Sequence, residues 1–204
     1  MQLIPFYGRS FESNSYLLVG ERNAVLIDAG VNTPDVLNAL KAHGAKLQYI
    51  LLTHGHFDHT ISVDTLRKQT PAKLVIHAED AEMLTDAQKS ALAIFFGTHD
   101  THIPEDLTVW DGDVISFEDQ QIRVIQTPGH SKGSVCYQLG DMLFSGDTLF
   151  DGGYGRYDLH GGDGDTLFRS LGRLRKADPA LTVYPGHGGS APLSDALAKL
   201  FGTP

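Results

Sequence analysis

The sequence predicts an α/β fold: two β-rich blocks, each followed by helices, an order consistent with two sheets between helical layers. Three observations predict it. Short apolar or alternating runs recur in two groups, helical segments follow each group, and no Pro/Ser-rich linker, low-complexity tract or short-period repeat divides the 204 residues. A single domain over 1–204 is therefore expected.

The first block opens with short strands between Leu3 and Ile27, separated by a turn at Glu21-Arg-Asn23. Thr33-Pro34 starts an amphipathic helix that runs to about Ala42, with Asn/Thr capping and Pro in the first turn, where its missing N–H costs nothing. Tyr49–Thr53 reads as strand, Thr60–Lys68 as helix, Lys73–His77 as strand and Glu79 to about Leu84 as helix. Residues 85–108 read as a variable loop. The second block supplies strands at Val114–Phe117, Ile122–Gln126, Val135–Leu139 and Met142–Ser145, then helices at Asp165–Arg175 and Leu193–Phe201.

Composition narrows the function classes. With 41% hydrophobic and 20% charged residues the chain has enough apolar material for a real core, and a formal net charge of −9 argues against nucleic-acid binding. Met1–Tyr7 lacks the basic and apolar regions of a secretory signal, and nowhere do apolar residues run to the ~20 needed to span a bilayer, so a soluble cytoplasmic protein without a membrane partner is expected. The lone cysteine, Cys136, excludes an intramolecular disulfide and suits a reducing compartment. It sits in the alternating run Ser134–Gln138, which makes it a small buried thiol rather than a nucleophile.

The chemistry is concentrated in Thr53-His-Gly-His-Phe-Asp-His59, where His54, His56, Asp58 and His59 follow directly on an apolar strand. Imidazole nitrogens and a carboxylate suit Zn²⁺, Fe or Mn²⁺, and a strand that stops abruptly in a loop aims some side chains at one spot and later ones at a second. Whether one centre or two results is open at this point. Three further strand ends carry comparable residues beside glycine: His130 in Gln126-Thr-Pro-Gly-His130, Asp147 in Met142-Leu-Phe-Ser-Gly-Asp147, and His187 in Leu181-Thr-Val-Tyr-Pro-Gly-His187. A site assembled from loops at one edge of packed sheets needs this arrangement.

These segments, with Ile27-Asp-Ala-Gly30, Thr127-Pro-Gly-His-Ser-Lys-Gly-Ser134, Phe144-Ser-Gly-Asp-Thr-Leu-Phe150, Gly155-Arg-Tyr-Asp158 and Tyr184-Pro-Gly-His-Gly188, cover almost the whole chain. Together they resemble a metallo-β-lactamase-fold hydrolase of the glyoxalase II-like branch. The resemblance implies an α+β fold of the αββα sandwich type. It implies two divalent ions, zinc first with iron or manganese compatible: one held by His54, His56 and His130, the other by Asp58, His59 and His187, with Asp147 bridging. It further implies a metal-bridging hydroxide as nucleophile, Asp58 and Asp147 as catalytic carboxylates, and a small-molecule thioester such as S-lactoylglutathione as substrate. The alternatives are a mononuclear-iron persulfide dioxygenase, a hydrolase of another ester, lactone or β-lactam, and, last, a metal-binding module without turnover.

Departures from the family pattern fall around the site. Ile61-Ser62 replaces a frequent Gly-Gly, Lys132 replaces a frequent Pro, and Arg156 and Asp158 stand where longer glyoxalase II enzymes have Lys and Tyr that touch glutathione. Arg156 and Lys132 are thus the candidate substrate-binding cations, although a buried Arg156–Asp158 pair shaping the loop is the favoured reading of the first. Only a short stretch follows His187, so the chain resembles the short, single-domain members. Asp28 is expected either to shape its loop or to orient a ligand, Phe95 and Phe96 to wall the site, and His77, His99, His102, His160 and His43 to lie outside the ligand set.

Overall fold

A computed structural model describes residues 1–202; the last two positions of the expected 1–204 domain lie outside the described residues. The first sheet contains β1 (Gln2–Phe6), β2 (Ser15–Val19), β3 (Asn23–Ile27), β4 (Lys46–Leu51), β5 (Lys73–His77) and β6 (Leu107–Val109), side by side in that order. The first three are antiparallel; β3 to β6 are parallel. The second sheet runs β12 (Ala191–Pro192), β11 (Thr182–Pro185), β10 (Met142–Gly146), β9 (Val135–Leu139), β8 (Gln120–Gln126), β7 (Val114–Phe117), antiparallel except for the β10–β11 pair.

Three apolar layers hold this together as an αββα sandwich. Leu17, Val19, Ala24 and Leu26 alternate with Tyr16, Leu18, Val25 and Ile27, so one set meets the helices α1 (Thr33–His43) and α2 (Val63–Gln69) while the other meets the second sheet. Strands covered on both faces read as continuous apolar runs, which is why β2 is buried throughout. In β4 an extra residue opposite Ala24/Val25 shifts the register and brings Leu47 and Ile50, three apart, into the same layer. The third layer packs Leu167, Leu171 and Leu174 of α5 (Gly164–Leu174) and Leu193 and Ala196 of α6 (Leu193–Phe201) against Cys136, Leu143 and Val183. Cys136 is fully buried there, and burial pushes its thiol up to about 11.

Helix ends follow local chemistry. Gly44 adopts φ 63° and donates its N–H to the Leu40 and Lys41 carbonyls, closing α1 in the left-handed conformation that glycine takes without penalty. Asp163 caps α5 by accepting from the Thr166 N–H at 2.7 Å.

Several boundaries differ from the expectations. The helix expected from Thr60 begins at Val63, because the preceding residues form a 3₁₀ turn, Phe57–His59, whose i→i−3 bonds (His59 N–H to His56 O, Thr60 N–H to Phe57 O, both 3.1 Å) spread the metal-motif side chains. The segment 85–108 is not all loop: it contains a short helix α4 (Leu92–Phe96) and enters β6, while α3 (Ala81–Leu84) is a single turn. Among the described residues no helix is long and apolar enough to cross a membrane.

Candidate metal centre

The C-terminal end of β4 and the loops after β8, β10 and β11 meet at one edge of the sandwich and bring all seven expected ligands together. Glycines make the approach possible. A Cβ on Gly146, at φ 50°, would collide with Thr53 Oγ1, and one on Gly186 would collide with Asp147 Oδ1.

Asp28, at the end of β3, organises the first motif. Its carboxylate accepts the Thr53 N–H at Oδ1 (2.8 Å), the Thr53 hydroxyl at Oδ2 (2.8 Å) and the His59 Nδ1–H at Oδ2 (2.8 Å). It is buried, with φ 56°, a left-handed conformation that Asp tolerates better than most residues. Of the two roles open to Asp28, it therefore orients a donor: with Nδ1 committed, Nε2 is the His59 nitrogen turned toward the cluster.

The same logic fixes two other rings. His130 Nδ1 donates to the Arg156 carbonyl at 2.6 Å, which leaves Nε2 as a lone pair, 2.9 Å from His56 Nδ1 and 3.1 Å from His54 Nε2. The Thr53 hydroxyl, its proton given to Asp28, accepts from His54 Nδ1 at 3.1 Å and frees His54 Nε2 likewise. Burial holds His54 well below the usual imidazole range and His56 down to about 3, so both rings are neutral, the form that coordinates a metal.

A second group lies alongside. His187 Nε2 is 3.1 Å and His59 Nε2 3.6 Å from Asp58 Oδ2. Asp147 stands between the groups, with Oδ1 3.3 Å from His59 Nε2 and Oδ2 3.6 Å from His187 Nε2 and 3.8 Å from His130 Nε2. Burial alone would raise the Asp147 carboxyl, but His59, His130 and His187 outweigh it and hold the pKa below the usual carboxylate range. Burial likewise opposes protonation of His59, yet Asp28, Asp58 and Asp147 drive its pKa well above the usual value.

Whether a metal fits can be judged from the polar atoms themselves. His56 Nε2, His59 Nε2 and Asp147 Oδ1 are buried without a hydrogen-bond partner, and His54 Nε2, His56 Nδ1 and His130 Nε2 converge on one point, the first and last as facing lone pairs 3.1 Å apart. Buried groups in this state are costly unless a cation satisfies them. Three groups can hold an ion: His54, His56 and His130; Asp58, His59 and His187; and His54, His59 and Asp147. The donors suit a divalent ion.

Sequence reasoning missed Asp80. Its buried carboxylate accepts the Gly55 N–H (3.2 Å), the Gly133 N–H (2.7 Å) and the Ser131 hydroxyl (2.6 Å), tying the His54–His56 loop to the His130 loop. Burial raises its pKa despite these bonds. The signal was present, since Asp80 is another acid just past an apolar strand. Asp80→Asn is expected to cost about 1–3 kcal/mol in stability and to weaken metal binding about 10- to 100-fold, read by urea unfolding and by chelator competition. Unchanged metal affinity would show that the loops hold their spacing without it.

The two candidate cations separate. Arg156 lines the cleft over the donor cluster, bonded to Asp158 through Nε (2.6 Å) and Nη2 (2.8 Å), with its guanidinium 5.7 Å from the Phe95 ring centre. The pair is present but not buried: the side chains are 49% and 64% exposed, because the loop turns outward there. Arg156→Ala is accordingly expected to leave the melting temperature unchanged, in contrast to a buried pair, since water replaces an exposed partner readily. A clear drop in calorimetry would overturn this. Lys132 is not brought to the cleft; it lines a separate groove with Gln126, Gly161 and Asp163.

The remaining histidines have other surroundings. His102 bonds Asp64 and Thr60 at 2.9 Å each and pins the 85–108 segment to α2; His160 meets Glu82 at 3.0 Å; His77 is buried against Trp110; His43 ends α1; and His99 is exposed. Phe95 does line the cleft, while Phe96 packs against Phe11 and Phe57.

Comparison with known proteins agrees with this geometry. The metallo-beta-lactamase superfamily model matches residues 8–187, and the chain belongs to that family. It is 32% identical to a probable metallo-hydrolase, YqgX, of Bacillus subtilis (92% of this chain, 89% of the relative). It is 33% identical to a hydroxyacylglutathione hydrolase of Aliivibrio fischeri, over 87% of this chain but 63% of that longer one. Among solved structures, BLEG-1, a B3 metallo-beta-lactamase, superposes with a TM-score of 0.88 at 30% identity over 95% of both chains. TTHA1623, solved in a di-iron-bound form, gives 0.83 at 32% identity over 97% of this chain and 98% of its own. Fold, donor cluster and family together define a metallo-hydrolase.

Proposed function

We propose that the chain is a two-metal thioester hydrolase, working by the reaction type of hydroxyacylglutathione hydrolases. The observation that carries this is Asp147 set between two otherwise complete donor groups: His54, His56 and His130 for one ion, Asp58, His59 and His187 for the other. Zinc is the first choice, with iron and manganese compatible with the same donors. When bound, such ions polarise a carbonyl as Lewis acids and make water a nucleophile at neutral pH.

The protein's own residues do the rest. Asp28, Thr53 and the Arg156 carbonyl fix ring orientations, so that donors meet the ions without reorganisation. Asp58 and Asp147, both with pKa values held low, are ionised at neutral pH and accept hydrogen bonds from the attacking water. Water adds to the acyl carbon, the C–S bond breaks, and the sulfur leaves as thiol with the proton that water gave up. The cleft above, about 290 Å³, accommodates a small arm of the substrate.

The complete second group weighs against a mononuclear-iron persulfide dioxygenase. Hydrolysis of a β-lactam, lactone or other ester at the same centre is the second reading, favoured by the likeness to BLEG-1. An activity panel of acyl-glutathione, persulfide, lactone and β-lactam compounds at defined metal loading tests the assignment. Thioester turnover is expected to exceed the others; oxygen consumption with a persulfide at one iron per chain would overturn it.

Metal uptake should also release protons. His59 carries a raised pKa in the metal-free protein, so at pH 7 it is protonated and must lose that proton to coordinate. Affinity should therefore fall as pH falls, because protons compete for the same nitrogen. Calorimetry in buffers of different ionisation enthalpy should show net proton release per chain; a buffer-independent heat would contradict the placement of His59 among the ligands.

A further inference from the structure

We propose that the cleft selects thioesters carrying an uncharged, apolar arm rather than the charged arm of glutathione, with Phe95 as a specificity-determining residue. This rests on the thioester reading above.

Three observations lead there. Beyond the donor residues, the cleft wall consists mainly of Phe11, Phe57, Phe95, Phe150, Tyr154 and Leu159, and Arg156 is its one charged side chain. A ligand arm with two carboxylates and an ammonium needs several uncommitted donors and acceptors, since each buried charge left unpaired is costly. Arg156, the one cation lining this cleft among the described residues, is already paired: its Nε and Nη2 bond Asp158, whose carboxylate repels those of a glutathione arm, and its face lies over Phe95.

The third observation is α4 itself. All five residues of Leu92–Phe96 are apolar, yet none is buried, and Ile94, Phe95 and Phe96 are about half exposed. Left-handed residues bracket the helix, Ala91 at φ 68° and Gly97 at φ 67°. The non-glycine Ala91 is strained in that conformation, and the helix it starts buries no side chain in the core. What the helix does is extend an aromatic patch from Phe57, beside Asp58: Phe95 lies 5.7 Å and Phe96 5.4 Å from the Phe57 ring centre, and Phe96 lies 5.5 Å from Phe11 at the surface. An apolar patch that begins at the reacting centre and ends at the surface fits an apolar arm extending from the scissile carbonyl.

The test uses the metal-loaded protein and two thioesters sharing a lactoyl group, one on glutathione and one on a phenylalkyl thiol. The phenylalkyl compound is expected to have a kcat/KM about tenfold higher, mainly through KM. Phe95→Ala, a substitution at a half-exposed position, should abolish most of that preference. Calorimetric binding of the two matching thioethers, which cannot be hydrolysed, keeps recognition separate from reaction. Preference for the glutathione arm in both assays, or a Phe95→Ala variant that lowers both substrates equally, would overturn the proposal. If neither thioester turns over while the phenylalkyl thioether still binds more tightly, the thioester reading fails and the apolar selectivity stands.

Discussion

Asp147→Ala is expected to lower kcat about 10³-fold while leaving the metal-free protein folded. Asp147 stands between both donor groups, 3.3 Å from His59 and 3.8 Å from His130, so in the proposed two-ion mechanism its loss removes the negative charge between the ions and the acceptor for the attacking water. The fold depends on it far less. Its Oδ1 has no hydrogen-bond partner, and His59, the buried ring that it attracts, keeps Asp28 at 2.8 Å and Asp58 at 3.6 Å, so no group is left without a partner charge. The melting temperature of the metal-free variant should stay within about 5 °C of the parent. Circular dichroism and steady-state kinetics on the best substrate check the pair of expectations. Wild-type kcat with full metal content would remove Asp147 from the centre.

Asp28→Ala should have the opposite profile, a large stability loss with a consequent loss of metal. The substitution strands three buried donors, the Thr53 N–H, the Thr53 hydroxyl and the His59 Nδ1–H, and forces alanine into a left-handed backbone. The orphaned groups cost about 1–3 kcal/mol each, partly recovered by local rearrangement, and the backbone about 1 kcal/mol more, so a net loss of about 4–6 kcal/mol is expected. Asp28→Asn tolerates the backbone and keeps one acceptor oxygen, so it should lose roughly half as much. Urea unfolding of the metal-free proteins measures both. Equal effects for Ala and Asn would locate the cost outside the hydrogen bonds, and an effect below about 1 kcal/mol would show that Asp28 is not the organising carboxylate described here.

The seven residues that meet at the site stood out in the sequence because they follow strand ends, most of them beside a glycine that lets loops approach closely. Asp28 and Asp80 illustrate the limit. Asp28 stood out after Ala24-Val-Leu-Ile27, but which of its two roles it plays depends on His59, 31 residues away, and on the tautomer that their contact selects. Asp80 joins Gly55 and Gly133, 25 and 53 residues distant, and no local pattern encodes such a long-range link. The blocks of strands and helices were legible from their periods, whereas their stacking as a sandwich came from the family resemblance. The 3₁₀ turn at Phe57–His59 was not legible, since three residues are too few to show a period. Nor was α4 legible, because Leu92-Ala-Ile-Phe-Phe96 is apolar on every face and therefore carries no helical period. The Arg156–Asp158 pair was read correctly as a pair and incorrectly as buried, because exposure depends on how a glycine-rich loop turns.

The two-ion centre is tested most directly by elemental analysis of the protein reconstituted with Zn²⁺, Fe²⁺ or Mn²⁺ at saturation, alongside a His187→Ala variant. About two ions per chain are expected for the parent and about one for the variant, because His187 belongs to the Asp58 and His59 group alone. One ion per chain in both proteins under saturating metal would contradict the shared role of Asp147 and the hydrolytic mechanism built on it.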